Sequence, residues 1–174
     1  FKVSKGVVLL KEADLEKLAK GFHCLKEVNE FDIWHDEKCE DLTKKAKEIF
    51  NDTNSGEKLG FTYGVAAKLL NCYLKTIFVT QFIDSLSATE KEKVSVIHPP
   101  IDRLLINSIK NKLRLIYEDT EIEEKRKFWN SKDIQSWSLY EARDYKKVIG
   151  EIKQIQKKRN QPLWMIEAYW PGHQ

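Results

Sequence analysis

Glycine and proline are scarce, with seven and four in 174 residues. A chain so poor in both has few enforced turns, and helix-forming residues fill most of what remains. Strand-like alternation is lacking too, apart from a short "GVVLL" run that fits one brief strand. No apolar stretch reaches the ~18 residues that a membrane span requires, so no membrane association is expected. The three cysteines, Cys24, Cys39 and Cys72, are odd in number and irregularly spaced. That argues against a disulfide framework and fits a reducing cytoplasmic setting. They are also too few for a four-cysteine iron–sulfur centre. His35 and Cys39 stand at i, i+4 and His23 adjoins Cys24, but the tight ligand pairs of structural zinc sites are missing, and no metal is expected. No organic-cofactor motif occurs, and no cofactor is expected. The opening "FKVSKGVVLL" lacks a small-residue cleavage site, so it reads as an ordinary terminus. An excess of one charge is missing as well. A net +3 excludes a polybasic arm while leaving room for a local basic face.

What is present points to a globular helical protein. Hydrophobic residues make up 41% and charged residues 33%, a balance that supports a packed core. Helical spacing joins Leu15, Leu18, Phe22 and Leu25, and again Leu42, Ala46, Ile49 and Phe50. The breaker "NDTNSGEKLG" follows. From about Tyr63 to Ile83 a wide apolar stripe predicts a deeply buried helix. "DSLSATEKEKVS" reads as an exposed loop or short helix. Pro99 and Pro100 disfavour helix before Asp102, after which Leu104, Leu105, Ile109, Leu113 and Ile116 repeat periodically. "TEIEEKRKFWN" fits a charged helix. "SLYEARDYKKVIGEIKQIQKKR" fits a long amphipathic one, with Tyr145, Val148, Ile149, Ile152 and Ile155 inward. A short aromatic helix closes the chain. The expectation is an all-α fold in a single domain spanning residues 1–174.

Two charged residues occupy unusual places. Lys68 lies in the first turns of the buried helix "GVAAKLLNCYLKTIF", where a long stem can reach solvent. Asp102 stands where an N-cap belongs. Seen with their neighbours, Gly64-Val65-Ala66-Ala67-Lys68 and Pro100-Ile101-Asp102-"RLLINSI", each at a helix start and in this order, resemble the helix-hairpin-helix DNA glycosylases. The 8-oxoguanine branch and its compact members are most similar. The likeness covers roughly residues 58–110. It departs from the family in the second glycine, which is Ala66, in the missing hairpin proline, and in a longer stretch between Lys68 and Asp102.

The resemblance implies a compact helical domain with two lobes flanking a cleft, and excision of a damaged or modified base from double-stranded DNA. That base could be an oxidised guanine or a bulky modified phage base, and strand cleavage through a Schiff base could follow. Lys68 and Asp102 would be the catalytic pair. Cys72, one helical turn after Lys68, would border the base pocket, and Trp34 or Trp170 would wall it. Gly64 and Ala66, through backbone N–H groups, and Arg103 would meet DNA, and His98 would either touch DNA or simply pack beside Pro99. The basic runs 125–127 and 157–159, with Lys75, Lys110, Lys112 and Arg114, are further phosphate candidates, any single one of them more simply read as a solvated helix face. A monomer is expected. The alternatives are a non-catalytic helical DNA- or nucleotide-binding module and a helical protein-interaction domain.

Overall fold

A computed structural model describes residues 3–50, 60–80 and 85–169. Among these residues the structure is all-α, without strands. Its helices are α1 (Val3–Glu12), α2 (Phe31–Phe50), α3 (Tyr63–Leu74), α4 (Ala88–Ser95), α5 (Arg103–Asn111), α6 (Leu113–Ile116), α7 (Ile122–Asn130), α8 (Lys132–Gln135) and α9 (Ala142–Arg159). No helix among the described residues is long and apolar enough to cross a membrane. The breaker at residues 51–59 and Trp170 lie outside the described residues.

Helix α3 is the central element, packed against both α2 and α9. Tyr63, Ala66, Ala67, Leu70 and Leu74 are buried along it, as the wide apolar stripe predicts. Thr62 caps its start by accepting a hydrogen bond from the Val65 N–H, 3.3 Å. The helix leaves its α geometry earlier than the sequence suggests, continuing as one π-helical turn over Lys75–Val79. Helix α9 buries Tyr145, Val148, Ile149, Ile152 and Ile155, the residues that its 3.6-residue period selects.

Two local expectations are corrected. The "GVVLL" run belongs to α1, not to a strand. Gly6, Leu9 and Ala13 are buried at helical spacing, and that seam against α2 outweighs the strand preference of the valines. The Leu15–Leu25 stretch is not one helix but two short 3-10 turns, Leu15–Lys20 and Phe22–Cys24. They part at Gly21, whose φ of 138° suits glycine alone. The closing aromatic segment is a 3-10 helix, Leu163–Tyr169. The polar "ATEKEKVS" stretch resolves as α4, opened by a capping box between Ser87 and Glu90.

Candidate active site

Helix α3 presents Lys68 on the face that turns away from the core. Across a cleft, the extended segment 98–102 delivers Asp102 to the start of α5. Lys68 Nζ donates to Asp102 Oδ2 at 3.0 Å, joining residues 34 positions apart. The other carboxylate oxygen, Oδ1, accepts the Leu105 N–H at 2.9 Å, so Asp102 is also the N-cap of α5. Both expected structural roles, helix cap and solvent-reaching ammonium, are therefore met by the same two residues that form the pair. Lys68 and Asp102 keep 33% and 20% of their side-chain surface exposed, so a ligand can reach both.

The opposite wall is the 3-10 turn Trp137–Leu139. Lys68 Nζ lies 4.8 Å from the centre of the Trp137 ring, a cation–π contact. Sequence reasoning missed Trp137. The turn is held against the first turn of α3 by two bonds: Thr62 Oγ1 donates to Ser138 O at 2.7 Å, and Gly64 N donates to Tyr140 O at 3.1 Å. A Cβ on Gly64 would lie 2.1 Å from Trp137 O, so only glycine permits this approach. The glycine was the available signal, because a glycine at the start of a buried helix implies a backbone close by.

These facts correct the DNA contacts expected of the helix start. Gly64 is buried with its N–H spent on Tyr140, and Ala66, fully buried, donates to Thr62 O at 2.9 Å. Neither N–H is free for a phosphate. Of the two readings of His98, the structure has the packed one. It is 3% exposed, with Nε2 3.0 Å from Asp32 Oδ1 and Nδ1 3.1 Å from the Tyr145 hydroxyl. Arg103, by contrast, is exposed at the mouth of the cleft, beside Asp102 and Trp137.

His98 belongs to a buried chain of hydrogen bonds behind the site. His35 Nε2 donates to Asn71 Oδ1 at 2.7 Å, and Asn71 Nδ2 donates to Tyr145 Oη and to Pro99 O, both at 2.9 Å. Tyr145 then donates to His98 Nδ1, leaving His98 Nε2–H for Asp32. Every ring nitrogen in this assignment has one consistent role. Burial holds His35 well below the ordinary histidine range, with the neighbouring His98 adding to the effect. Burial also lowers His98, outweighing the raising influence of Asp32. Both rings are neutral at pH 7. The Asp32 carboxyl lies well below its usual range, chiefly through the His98 hydrogen bond and, against the cost of burial, with help from Lys153. Through Asn71, one turn past Lys68, this network ties the Pro99 carbonyl to α3 and so fixes where Asp102 emerges.

Cys72 lines the same cleft, one turn past Lys68. Its thiol is exposed in the cleft and is pushed above the ordinary range by desolvation, which outweighs the opposing pull of Lys68. Trp34 sits on α2 with its ring 5.7 Å from Phe31 and packs against the core rather than lining the cavities at Lys68. His35 and Cys39 are buried side by side, Sγ to Nδ1 at 3.6 Å. The basic runs are partly neutralised in place: Lys125 pairs with Glu151, Arg126 with Glu123, and Lys158 with Glu121.

Two recesses of about 380 Å³ each meet at the Lys68–Asp102 pair, one toward Arg103 and Trp137, the other toward Cys72 and Glu167. A larger apolar groove of about 640 Å³ runs from Lys68 along α1. Volumes of this size accept a small planar molecule. Comparison of the chain with family models, curated proteins and solved structures finds no match.

Proposed function

We propose that the chain is a DNA N-glycosylase of helix-hairpin-helix type that acts on a base turned out of the duplex. The observation that carries this reading is the 3.0 Å approach of the Lys68 ammonium to the Asp102 carboxylate in an open cleft. That separation lies within the range for a nucleophile and the base that activates it. Trp137 supplies a planar surface beside the pair, and exposed Arg103 offers a cation to the DNA backbone at the cleft mouth.

In this mechanism the bond between the sugar anomeric carbon and the base breaks, and the base leaves with the bonding electrons. The sugar gains oxocarbenium character, which the Asp102 carboxylate stabilises. Lys68 gives up a proton, which passes by way of Asp102 to the departing base. The neutral amine then bonds to the anomeric carbon. Ring opening yields a Schiff base, and loss of the proton at the next carbon permits cleavage of the 3′ phosphate ester.

The test is incubation with duplexes bearing different modified bases, and with one bearing a preformed abasic site, in the presence of borohydride. The expected result is a covalent protein–DNA adduct that disappears in Lys68→Ala. Salt-sensitive DNA binding with neither base release nor adduct would overturn the reading and favour a binding module.

A further inference from the structure

Between Asp102 and Glu118 the chain carries four cations, Arg103, Lys110, Lys112 and Arg114, and no acid. This stretch forms α5 and α6, with only Lys112 between them. Its apolar residues Leu105, Ile106, Ile109, Leu113 and Ile116 are buried in the core. Arg103, Asn107 and Lys110 stand at i, i+4 and i+7 on α5, and none of them is buried, so they form one outward stripe. Arg159, at the end of α9, joins the far end of this face. Its Nη2 donates to Leu115 O at 2.7 Å, beside the exposed Arg114. Arg159 and Lys112 also approach the same Tyr169 ring, 4.8 and 5.6 Å from its centre, which helps to hold both in place. Among the described residues none of these five cations makes an ion pair with a carboxylate, unlike Lys125, Arg126 and Lys158 of the basic runs.

We infer that this face is a track for the backbone of a nucleic-acid strand, leading to the cleft from one side. The inference deepens the glycosylase reading above and rests on it for the choice of polymer. Arg103 belongs both to the cleft mouth and to the track, so the two are continuous. The cations are strung out along a face rather than gathered round a point. From Arg103 to Arg114 the helical rise amounts to about 16 Å, which runs alongside roughly five nucleotides of one strand. A single phosphate would meet one or two of these groups, whereas a phosphate backbone meets them in series. Cations assembled without acids repel one another, and a polyanion relieves that repulsion. An anionic lipid surface is the poorer fit. A helix that lies on a membrane inserts its apolar face, but that of α5 and α6 is already packed in the core, leaving only Leu104 and Leu115 exposed.

The experiment measures binding of an undamaged fluorescent duplex by anisotropy as salt is raised from about 50 to about 200 mM. Lys110→Gln/Arg114→Gln/Arg159→Gln removes three phosphate contacts. It is expected to reduce the slope of log affinity against log salt by about 2.7, so that its deficit against wild type narrows by roughly 40-fold across that range. Lys110→Gln/Arg114→Gln, which keeps the Arg159 bond to Leu115 O, is expected to reduce the slope by about 1.8. Lys44→Gln/Lys45→Gln/Lys47→Gln removes the same charge from α2 and is expected to change the slope by less than about 0.5. A slope unchanged in both track variants, or reduced as much by the α2 variant, overturns the inference. Tighter binding to phosphatidylserine vesicles than to the duplex, lost in the track variants, also overturns it and assigns the face to a membrane. Borohydride trapping on modified and abasic duplexes runs alongside and separates the two readings. Adduct with an unchanged slope overturns the track alone, and a shifted slope without adduct overturns the glycosylase reading alone. Absence of duplex binding by the wild-type protein overturns both.

Discussion

Replacing Gly64 with alanine sets two opposing effects against each other. In a helix alanine is favoured over glycine by about 1 kcal/mol, so the change alone would stabilise α3. The new Cβ, however, would lie 2.1 Å from Trp137 O and 3.0 Å from Tyr140 Cβ. The nearest neighbour is backbone and cannot swing aside, so the 137–140 turn must retreat by about an ångström to restore ordinary contact. Overpacking of this kind costs about 3 kcal/mol, and loosening the Gly64–Tyr140 hydrogen bond adds about 1 kcal/mol. The net expectation is a loss of roughly 3 kcal/mol, or about 6–12 °C in Tm for a chain of this size. Gly150 supplies the control. It lies in α9 with nothing within 4 Å of an added Cβ, so Gly150→Ala should gain up to about 1 kcal/mol. Urea unfolding followed by circular dichroism measures both, with unchanged m-values as the check on two-state behaviour. A Gly64→Ala protein as stable as wild type would refute the close approach of the 137–140 turn.

Asp102→Asn keeps the cap, since asparagine caps a helix as well as aspartate does, and should alter stability by less than about 0.5 kcal/mol. Single-turnover adduct formation on abasic DNA should nonetheless slow by roughly 100-fold or more; parallel loss of both would assign Asp102 a structural role only. Asn71→Ala leaves Pro99 O, Tyr145 and His35 without their buried partner, with an expected cost of about 3 kcal/mol or more by chemical denaturation. Stability should fall as pH drops below the unfolded histidine pKa of about 6.5, because the unfolded chain takes up protons that buried His35 and His98 refuse. The slope should approach roughly 2.7 kcal/mol per pH unit for two protons, and His98→Gln should flatten it; a flat profile between pH 6.5 and 5 in wild type would place both rings in solvent.

Much of the fold was readable because its signals are local. The periods of α3 and α9 and the cap at Asp102 each declare themselves within a few residues. The Lys68–Asp102 approach was reachable only through the resemblance to the helix-hairpin-helix glycosylases, since neither helix start by itself implies a partner 34 positions away. Trp137 and Glu167 were not. Trp137 lies in a short turn after the four-residue α8, where no periodicity can build up. Glu167 was obscured by its aromatic neighbours, although a lone acid within "PLWMIEAYW" was itself a clue to a buried charge. His98 was left between a DNA contact and packing beside Pro99, because the bonds that bury its segment come from α2, α3 and α9, which are distant in the chain.

Both sides of the cleft are moored to one helix. Asn71 grips the Pro99 carbonyl, while Thr62 and Gly64 grip the 137–140 turn. Neither side can swing outward without breaking buried or backbone bonds to α3. The opening therefore has a set width. If the occupant is the duplex of the proposed function, the nucleic acid has to do the bending, and strands that kink or unstack easily would enter first, a sieve ahead of any chemistry.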